Sequence, residues 1–252
     1  MLSNQKIKLI NSLSLKKYRD SLALFVAEGT KCVLELSVFF DCKIAIATQE
    51  WLSMHKITAE ELVIVSSRDE LKNVTALSSP PDVLAIFYQR KKDFSCENMR
   101  GNLTLMLDDI QDPGNLGTLI RLADWFGCQH IICSPQTVDV YNSKVIQATM
   151  GAIARVNLHY TPLDDCLQWA KKHAVPVYGT FLNGENIYAT PLTQEAIIVF
   201  GNEGHGISPL LAACVDRRIT IPRFPAEATA AESLNVAMSA AIVLSEFRRN
   251  AI

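Results

Sequence analysis

The chain has 252 residues, 49% apolar and 20% charged, which excludes a disordered protein and supplies enough apolar side chains for one large core or two ordinary ones. With 24 basic and 26 acidic residues the net charge is −2, so a DNA or RNA binder working by bulk charge alone is excluded. No run of eighteen apolar residues offers a membrane span. Seven cysteines, an odd number without C-x-x-C spacing, read as buried free thiols of a reducing, cytoplasmic compartment. Neither they nor the five scattered histidines form a metal-ligand pattern. Charge is uneven along the chain: within the first twenty positions Lys6, Lys8, Lys16, Lys17 and Arg19 face only Asp20.

Ile7, Ile10 and Leu13 recur at helical spacing and predict one amphipathic helix near the start, with no apolar core of the secretory kind. Short apolar runs then alternate with helical patterns. Strands are expected over 24–29, 44–48, 61–66 and 83–88, with helices after Gly29 and over 69–77. The charged stretch 91–102 reads as a linker, so residues 1–90 form a first domain and 103–252 a second. In the second, residues 103–110 form a nearly continuous apolar run, as expected of a strand buried on both faces. A helix follows near Asn115, and further strands are expected around 130–134, 155–160, 176–181, 196–201 and 217–222. The last helix, 233–249, is apolar almost all round, which suits burial or a subunit interface.

Three segments have the composition of a site. In Asp108–Gly127 a buried strand ends in acidic residues, turns at Pro113–Gly114, and enters a helix for which Asn115 is the expected cap. Leu119, Leu122, Ala123 and Phe126 form its apolar stripe, while Thr118, Arg121 and Trp125 share another face. An arginine just inside such a helix is placed to meet an anion at the end of a strand; the plain alternative is a surface arginine on a capped helix. In Ile197–Ser208 a strand runs into Gly201, Gly204 and Gly206, a spacing that is neither the dinucleotide fingerprint nor a phosphate-binding P-loop. Glu203 within it is either a ligand group or a cap for backbone amides, and His205 reads as loop surface. In the third segment a strand ends at Ile221–Pro222, and Ser233–Leu234–Asn235 opens the last helix, with Ser233 most simply its cap.

In this order the three segments resemble the SpoU (TrmH) RNA methyltransferases of the SPOUT superfamily. The first matches the family's Asn-x-Gly-x-x-x-Arg motif through Asn115, Gly117 and Arg121. The second matches Gly-x-Glu-x-x-Gly through Gly201, Glu203 and Gly206, and the third matches Ile-Pro…Ser-Leu-Asn-Val through Ile221, Pro222 and Ser233 to Val236. Residues 143–156 resemble the intervening Lys…Ser-Met-Gly-Ala segment, with Thr149 in the serine position. The interval 223–232 is longer than the family's usual loop. More loosely, the helix, basic turn and Phe25-x-x-Glu28-Gly29 of the N-terminal region resemble the family's small substrate-binding domain, related in fold to ribosomal proteins.

The resemblance implies an α/β fold in two parts: a small ribosomal-protein-like RNA-binding domain, then an α/β trefoil-knot methyltransferase domain. It implies S-adenosyl-L-methionine as methyl donor, held by Thr180, Phe200, Gly201, Glu203, Ile221 and Leu234, and a homodimer. Arg121, Asn115, Glu203, Ser233 and Asn235 would form the catalytic set, with Arg121 in the role of base and no metal. The implied substrate is the ribose 2′-hydroxyl of structured RNA, ribosomal in preference to transfer RNA, recruited through Lys16, Lys17 and Arg19; no partnership with DNA or membrane is implied. Two rivals stand beside this reading. One is a non-catalytic RNA-binding or ribosome-assembly factor. The other is a Rossmann-type enzyme, which would want a Gly-rich loop after its first strand where this chain has only Glu28–Gly29.

Overall fold

A computed structural model describes residues 2–90, 93–224 and 233–249, and the chain forms two compact units. The first contains Met1–Lys91 and, from far along the chain, Asp139–Ala154; the second contains Lys92–Val138 and Arg155–Ile252.

The first unit begins with helices α1 (Asn4–Ser12) and α2 (Lys16–Leu22). Then come β1 (Leu24–Glu28), α3 (Thr30–Ser37), β2 (Cys42–Thr48), α4 (Gln49–Met54), β3 (Glu61–Val65) and β4 (Val83–Tyr88). The sheet runs β1-β4-β2-β3, with β4 antiparallel to both neighbours and β2 parallel to β3. The single helix expected near the start is broken in two. The Ser12 and Ser14 hydroxyls donate back to the carbonyls of Leu9 and Asn11, the local competition by which serine interrupts a helix. The helix expected over 69–77 shrinks to a 3₁₀ turn at Arg68–Leu71. Beyond it the Glu28 carboxylate accepts from the Thr75 hydroxyl and the Ala76 amide, holding the chain in a non-helical path.

The second unit carries β5 (Leu103–Leu107), α5 (Pro113–Trp125), β6 (His130–Cys133), β7 (Asn157–Tyr160) and α7 (Leu163–Lys172). It continues with β8 (Val177–Asn186), β9 (Ala196–Phe200), α8 (Pro209–Ala212), β10 (Arg217–Thr220) and α9 (Val236–Arg248). Its six strands are all parallel, in the order β10-β8-β9-β5-β6-β7. Strands β5 and β9 lie in the middle and are buried along their whole length, which explains why both read as continuous apolar runs. From β5 the chain steps outward to β6 and β7; β8, β9 and β10 lie on the other side. The carboxyl ends of β5 and β9 therefore flank the point where the strand order reverses, the usual ligand crevice of such a sheet.

Between β6 and β7, helix α6 (Ser143–Thr149) packs on β1, so the stretch expected as one domain over 103–252 yields residues 139–154 to the first unit. Within that unit the Phe25 and Tyr141 rings lie 4.8 Å apart, and Gly151, at φ +92°, lies flat against Glu35. A Cβ on Gly151 would come within 2.6 Å of the Glu35 Cβ. Asp139 takes Arg19, which corrects one expectation. Arg19 is 3% exposed; its guanidinium donates to Asp139 Oδ2 at 2.6 and 2.9 Å and to the carbonyls of Leu13 and Ser14. Four of its five N–H donors serve the fold and the side chain is buried, so it is not available to an RNA phosphate, whereas Lys16 and Lys17 are exposed.

The segment read as a linker is anchored where it is described: Met99 is fully buried in the second unit's core, with Phe94 and Cys96 packed against the same cluster. Cys32, Cys42, Cys128, Cys133 and Cys166 are buried as expected, and burial pushes the Cys32 thiol up to about 12, but Cys214 is exposed and Cys96 half-buried. Among the described residues no helix is long and apolar enough to cross a membrane, and no three His, Cys, Asp or Glu side chains are grouped to hold a metal ion.

Candidate active site

The three motif segments meet at the crevice beyond β5 and β9. After β5 the chain turns through Asp108–Asp112 into α5, which opens Asp112–Pro113 in the manner of a capped helix start with proline at its first position. The cap is Asp112, whose Oδ1 accepts the Asn115 amide at 2.8 Å, and not Asn115 as the sequence suggested. Relieved of that duty, the Asn115 side chain points across the crevice. Its Nδ2 donates to Glu203 Oε1 at 2.9 Å, and its Oδ1 accepts from Asn235 Nδ2 at 2.8 Å. Asn235 Oδ1 in turn accepts the Ala237 and Met238 amides, so Asn235 is the cap of α9 and Ser233, expected in that role, lies outside the helix. One residue from each segment thus joins a single line of hydrogen bonds, Glu203–Asn115–Asn235, ending on a helix N-terminus.

Glu203 closes the other end. Its two carboxylate oxygens also accept the backbone amides of Gln111 and Asp112, each at 3.2 Å. Burial pushes its carboxyl upward, but the Asn115 side chain and the amides around it together outweigh that and hold it below the ordinary glutamate value. The ionised form is therefore the one the site is built around. The turn carrying Glu203 is tight: Asn202 and Gly206 exchange backbone hydrogen bonds at 3.0 and 2.9 Å. A Cβ on Gly201 would sit 2.1 Å from the backbone of Gly206 and Ile207, which explains the glycine there.

Arg121 lies on the exposed side of α5 and makes no hydrogen bond or ion pair with any described residue. Of its expected face, Trp125 is 84% exposed, while the Thr118 hydroxyl donates back to Gly114. The buried stripe is Leu116, Leu119, Ile120 and Ala123, with Leu122 and Phe126 only half-buried.

The residues assigned to the methyl donor are less uniform. Thr180 donates its hydroxyl to the Val199 carbonyl, and Phe200 buries its ring completely, so each would meet a ligand only through its main chain or edge. Ile221 is half-buried and Leu234 is 52% exposed; no described residue hydrogen-bonds the main chain of either. Ser233 is exposed and makes no hydrogen bond with a described residue. Most of the 223–232 interval, residues 225–232, lies outside the described residues. Sequence reasoning missed Asp109, Asp112 and Asn202. For Asp112 the signal was present, since an aspartate immediately before a helix-opening proline is a cap signature.

Comparison with known proteins gives the arrangement a family. The model of the SpoU rRNA methylase family matches residues 102–245, and that of the MRM3-like substrate binding domain matches residues 4–85. The chain is 29% identical to the Bacillus subtilis 23S rRNA guanosine 2′-O-methyltransferase RlmP over 97% of this chain and 96% of that one. It is 30% identical to the 23S rRNA guanosine 2′-O-methyltransferase RlmB of Neisseria meningitidis over 96% of this chain and 93% of the other. Among solved structures, a TrmH-family protein from Porphyromonas gingivalis superposes with a TM-score of 0.88 at 38% identity, covering 99% of both chains. An rRNA methyltransferase from Sinorhizobium meliloti with AdoMet bound superposes with a TM-score of 0.84 at 28% identity, covering 100% of this chain and 97% of that one. The family model spans more than half of the chain and contains every residue of the Glu203–Asn115–Asn235 line: the protein belongs to the SpoU rRNA methylase family.

Proposed function

We propose that the protein transfers a methyl group from S-adenosyl-L-methionine to a ribose 2′-hydroxyl of ribosomal RNA. The observation that carries the reading is the line Glu203–Asn115–Asn235 at the strand-order reversal, built on the same helix that carries Arg121, an exposed arginine paired with no described residue. The names of the relatives RlmP and RlmB support ribosomal over transfer RNA. On this reading the place of action is the cytoplasm.

The donor fits the residues present. The main-chain groups of Ile221 and Leu234, which no described residue hydrogen-bonds, are the donors and acceptors an adenine edge needs, with Gly201 just past the end of β9 and Thr180 of β8 bonded to Val199 beside it. When bound, S-adenosyl-L-methionine supplies a methyl group on a positively charged sulfur. The chain's own residues have two tasks, to fix the phosphate and to align the hydroxyl, whose proton passes to solvent water. Arg121, a guanidinium that only donates, holds the phosphate and stabilises the developing alkoxide. Glu203 and Asn115 set the loop against which the nucleotide lies, and Ser233 and Asn235 complete the rim.

Lys16 and Lys17 serve as phosphate contacts of the N-terminal unit, a reading supported by its match to a substrate-binding domain. A homodimer is supported by apolar surface at Trp125, Leu234 and Met238, which are 84%, 52% and 59% exposed. Ala237, Val243 and Leu244 of the same helix are buried within the subunit.

The test is incorporation of tritium from methyl-labelled S-adenosyl-L-methionine into ribosomal and transfer RNA transcripts by wild type and Arg121→Ala. Ribose label in ribosomal RNA, lost in the variant while donor affinity measured by calorimetry persists, is the expected result. No label in any RNA overturns the reading.

A further inference from the structure

The turn that carries Glu203 also carries a side chain for which the chemistry above has no use. His205 stands at its tip, with 64% of its side chain exposed and Nε2 3.7 Å from Asp109 Oδ2. Its backbone is fixed: Asn202 Oδ1 accepts the amides of Gly204 and His205 at 2.8 and 3.3 Å, and Asn202 Nδ2 donates to the Asp109 carbonyl at 2.8 Å. Asp109 is itself unusual. It holds φ at +60°, a left-handed conformation that any side chain beyond glycine adopts at a cost. Ser134 holds it there through a hydrogen bond from the Asp109 amide to Oγ, 2.9 Å long, and its carboxylate accepts from Gln111 Nε2 and Asn202 Nδ2. A strained residue at the end of a central strand thus aims a carboxylate at a solvent-facing imidazole.

The charge around it gives that imidazole a task. The crevice presents Asp109, Asp112 and Glu203, while Asp108 is buried and accepts the Ser208 amide at 2.7 Å. A phosphate approaching this acidic mouth is repelled unless cations meet it. Arg121 is one such cation. We propose that His205, oriented by Asp109, is a second RNA contact of the site: its Nε2–H faces Asp109 and its Nδ1–H donates to a phosphate oxygen of the substrate strand beside the methylated nucleotide. This rests on the RNA methyl-transfer reading and adds a binding residue to it. Imidazole is the side-chain class that gains charge as pH falls from 8 to 6, and a charged ring here lies against the Asp109 carboxylate while its other nitrogen meets a phosphate. RNA affinity should therefore rise as pH falls from 8 to 6.

The experiment compares wild type, His205→Gln, His205→Lys and Asp109→Asn at pH 6 and pH 8. It reads filter-binding affinity for a ribosomal RNA fragment, KM for RNA and kcat. His205→Gln is expected to weaken RNA binding roughly fivefold at pH 6 and little at pH 8, the loss falling on KM and not on kcat, as for one rim charge contact. His205→Lys should restore affinity and remove its pH dependence; Asp109→Asn should lose part of the pH 6 advantage. Equal RNA affinity of wild type and His205→Gln at both pH values overturns the proposal, and so does a loss in His205→Gln that His205→Lys does not rescue. Filter binding reads the contact without methyl transfer, so a wild type that binds RNA with this pH dependence yet methylates none refutes the enzymatic reading alone.

Discussion

Replacing Glu203 tests whether the polar line at the crevice supports both fold and chemistry. The carboxylate accepts three hydrogen bonds, from Asn115 Nδ2 at 2.9 Å and from the Gln111 and Asp112 amides at 3.2 Å. Hydrogen bonds to a charged group contribute about 1.5–3 kcal/mol each when shielded, but these are solvent-accessible and two are long, so Glu203→Ala should destabilise the second unit by about 2 kcal/mol in total. Glu203→Gln should cost about half as much, because its amide nitrogen must face a donor. Since the folded protein holds this carboxyl below the ordinary glutamate value, its contribution is complete above that value and disappears as pH falls through the folded one. The gap between wild type and Glu203→Gln, measured by urea unfolding, should therefore be open at pH 7 and close in acid. In the methyl-transfer assay, release of Asn115 and Asn235 should lower kcat by about 100-fold, the order of loss expected from an ångström of misplacement. A stability gap independent of pH, or full turnover in Glu203→Ala, would refute the reasoning.

Arg19→Ala leaves the mostly buried Asp139 without its cation and should cost about 3 kcal/mol in urea unfolding, whereas Arg19→Met combined with Asp139→Leu should recover most of that. Gly201→Ala forces a Cβ into backbone 2.1 Å away and should sharply reduce both thermal stability and donor binding; wild-type melting would contradict the geometry. Lys16→Ala with Lys17→Ala should weaken RNA binding and lower the slope of log affinity against log salt by about 1–2, with donor affinity unchanged in calorimetry. Light scattering at micromolar concentration should give a dimer mass that falls toward the monomer in Trp125→Glu with Met238→Glu.

What the sequence determined by itself was whatever is written within a few neighbouring residues. Alternation of apolar runs and helical periods announced the α/β class, and the uninterrupted runs at 103–107 and 196–200 announced strands buried on both faces. The resemblance of the three ordered motifs to the SpoU family brought Asn115, Arg121, Glu203 and Asn235 forward as site residues. Where local signals competed, as between Asp112 and Asn115 for the cap of α5 or Ser233 and Asn235 for that of α9, neighbouring residues of similar capping ability drew the expectation to the wrong one, and the chain direction at each turn decided. Arg19 looked like a phosphate contact because its basic neighbours are on the page and Asp139, 120 residues away, is not beside it. The crossover at 139–154 could not be seen to join the first unit, since helix α6 has an ordinary amphipathic composition and its packing partner β1 is more than a hundred residues distant. The bonds from Asn115 to Glu203 and to Asn235 span 88 and 120 residues. Such pairings depend on strand order in the parallel sheet, which no local preference encodes, so only the tertiary structure decides which polar side chains meet.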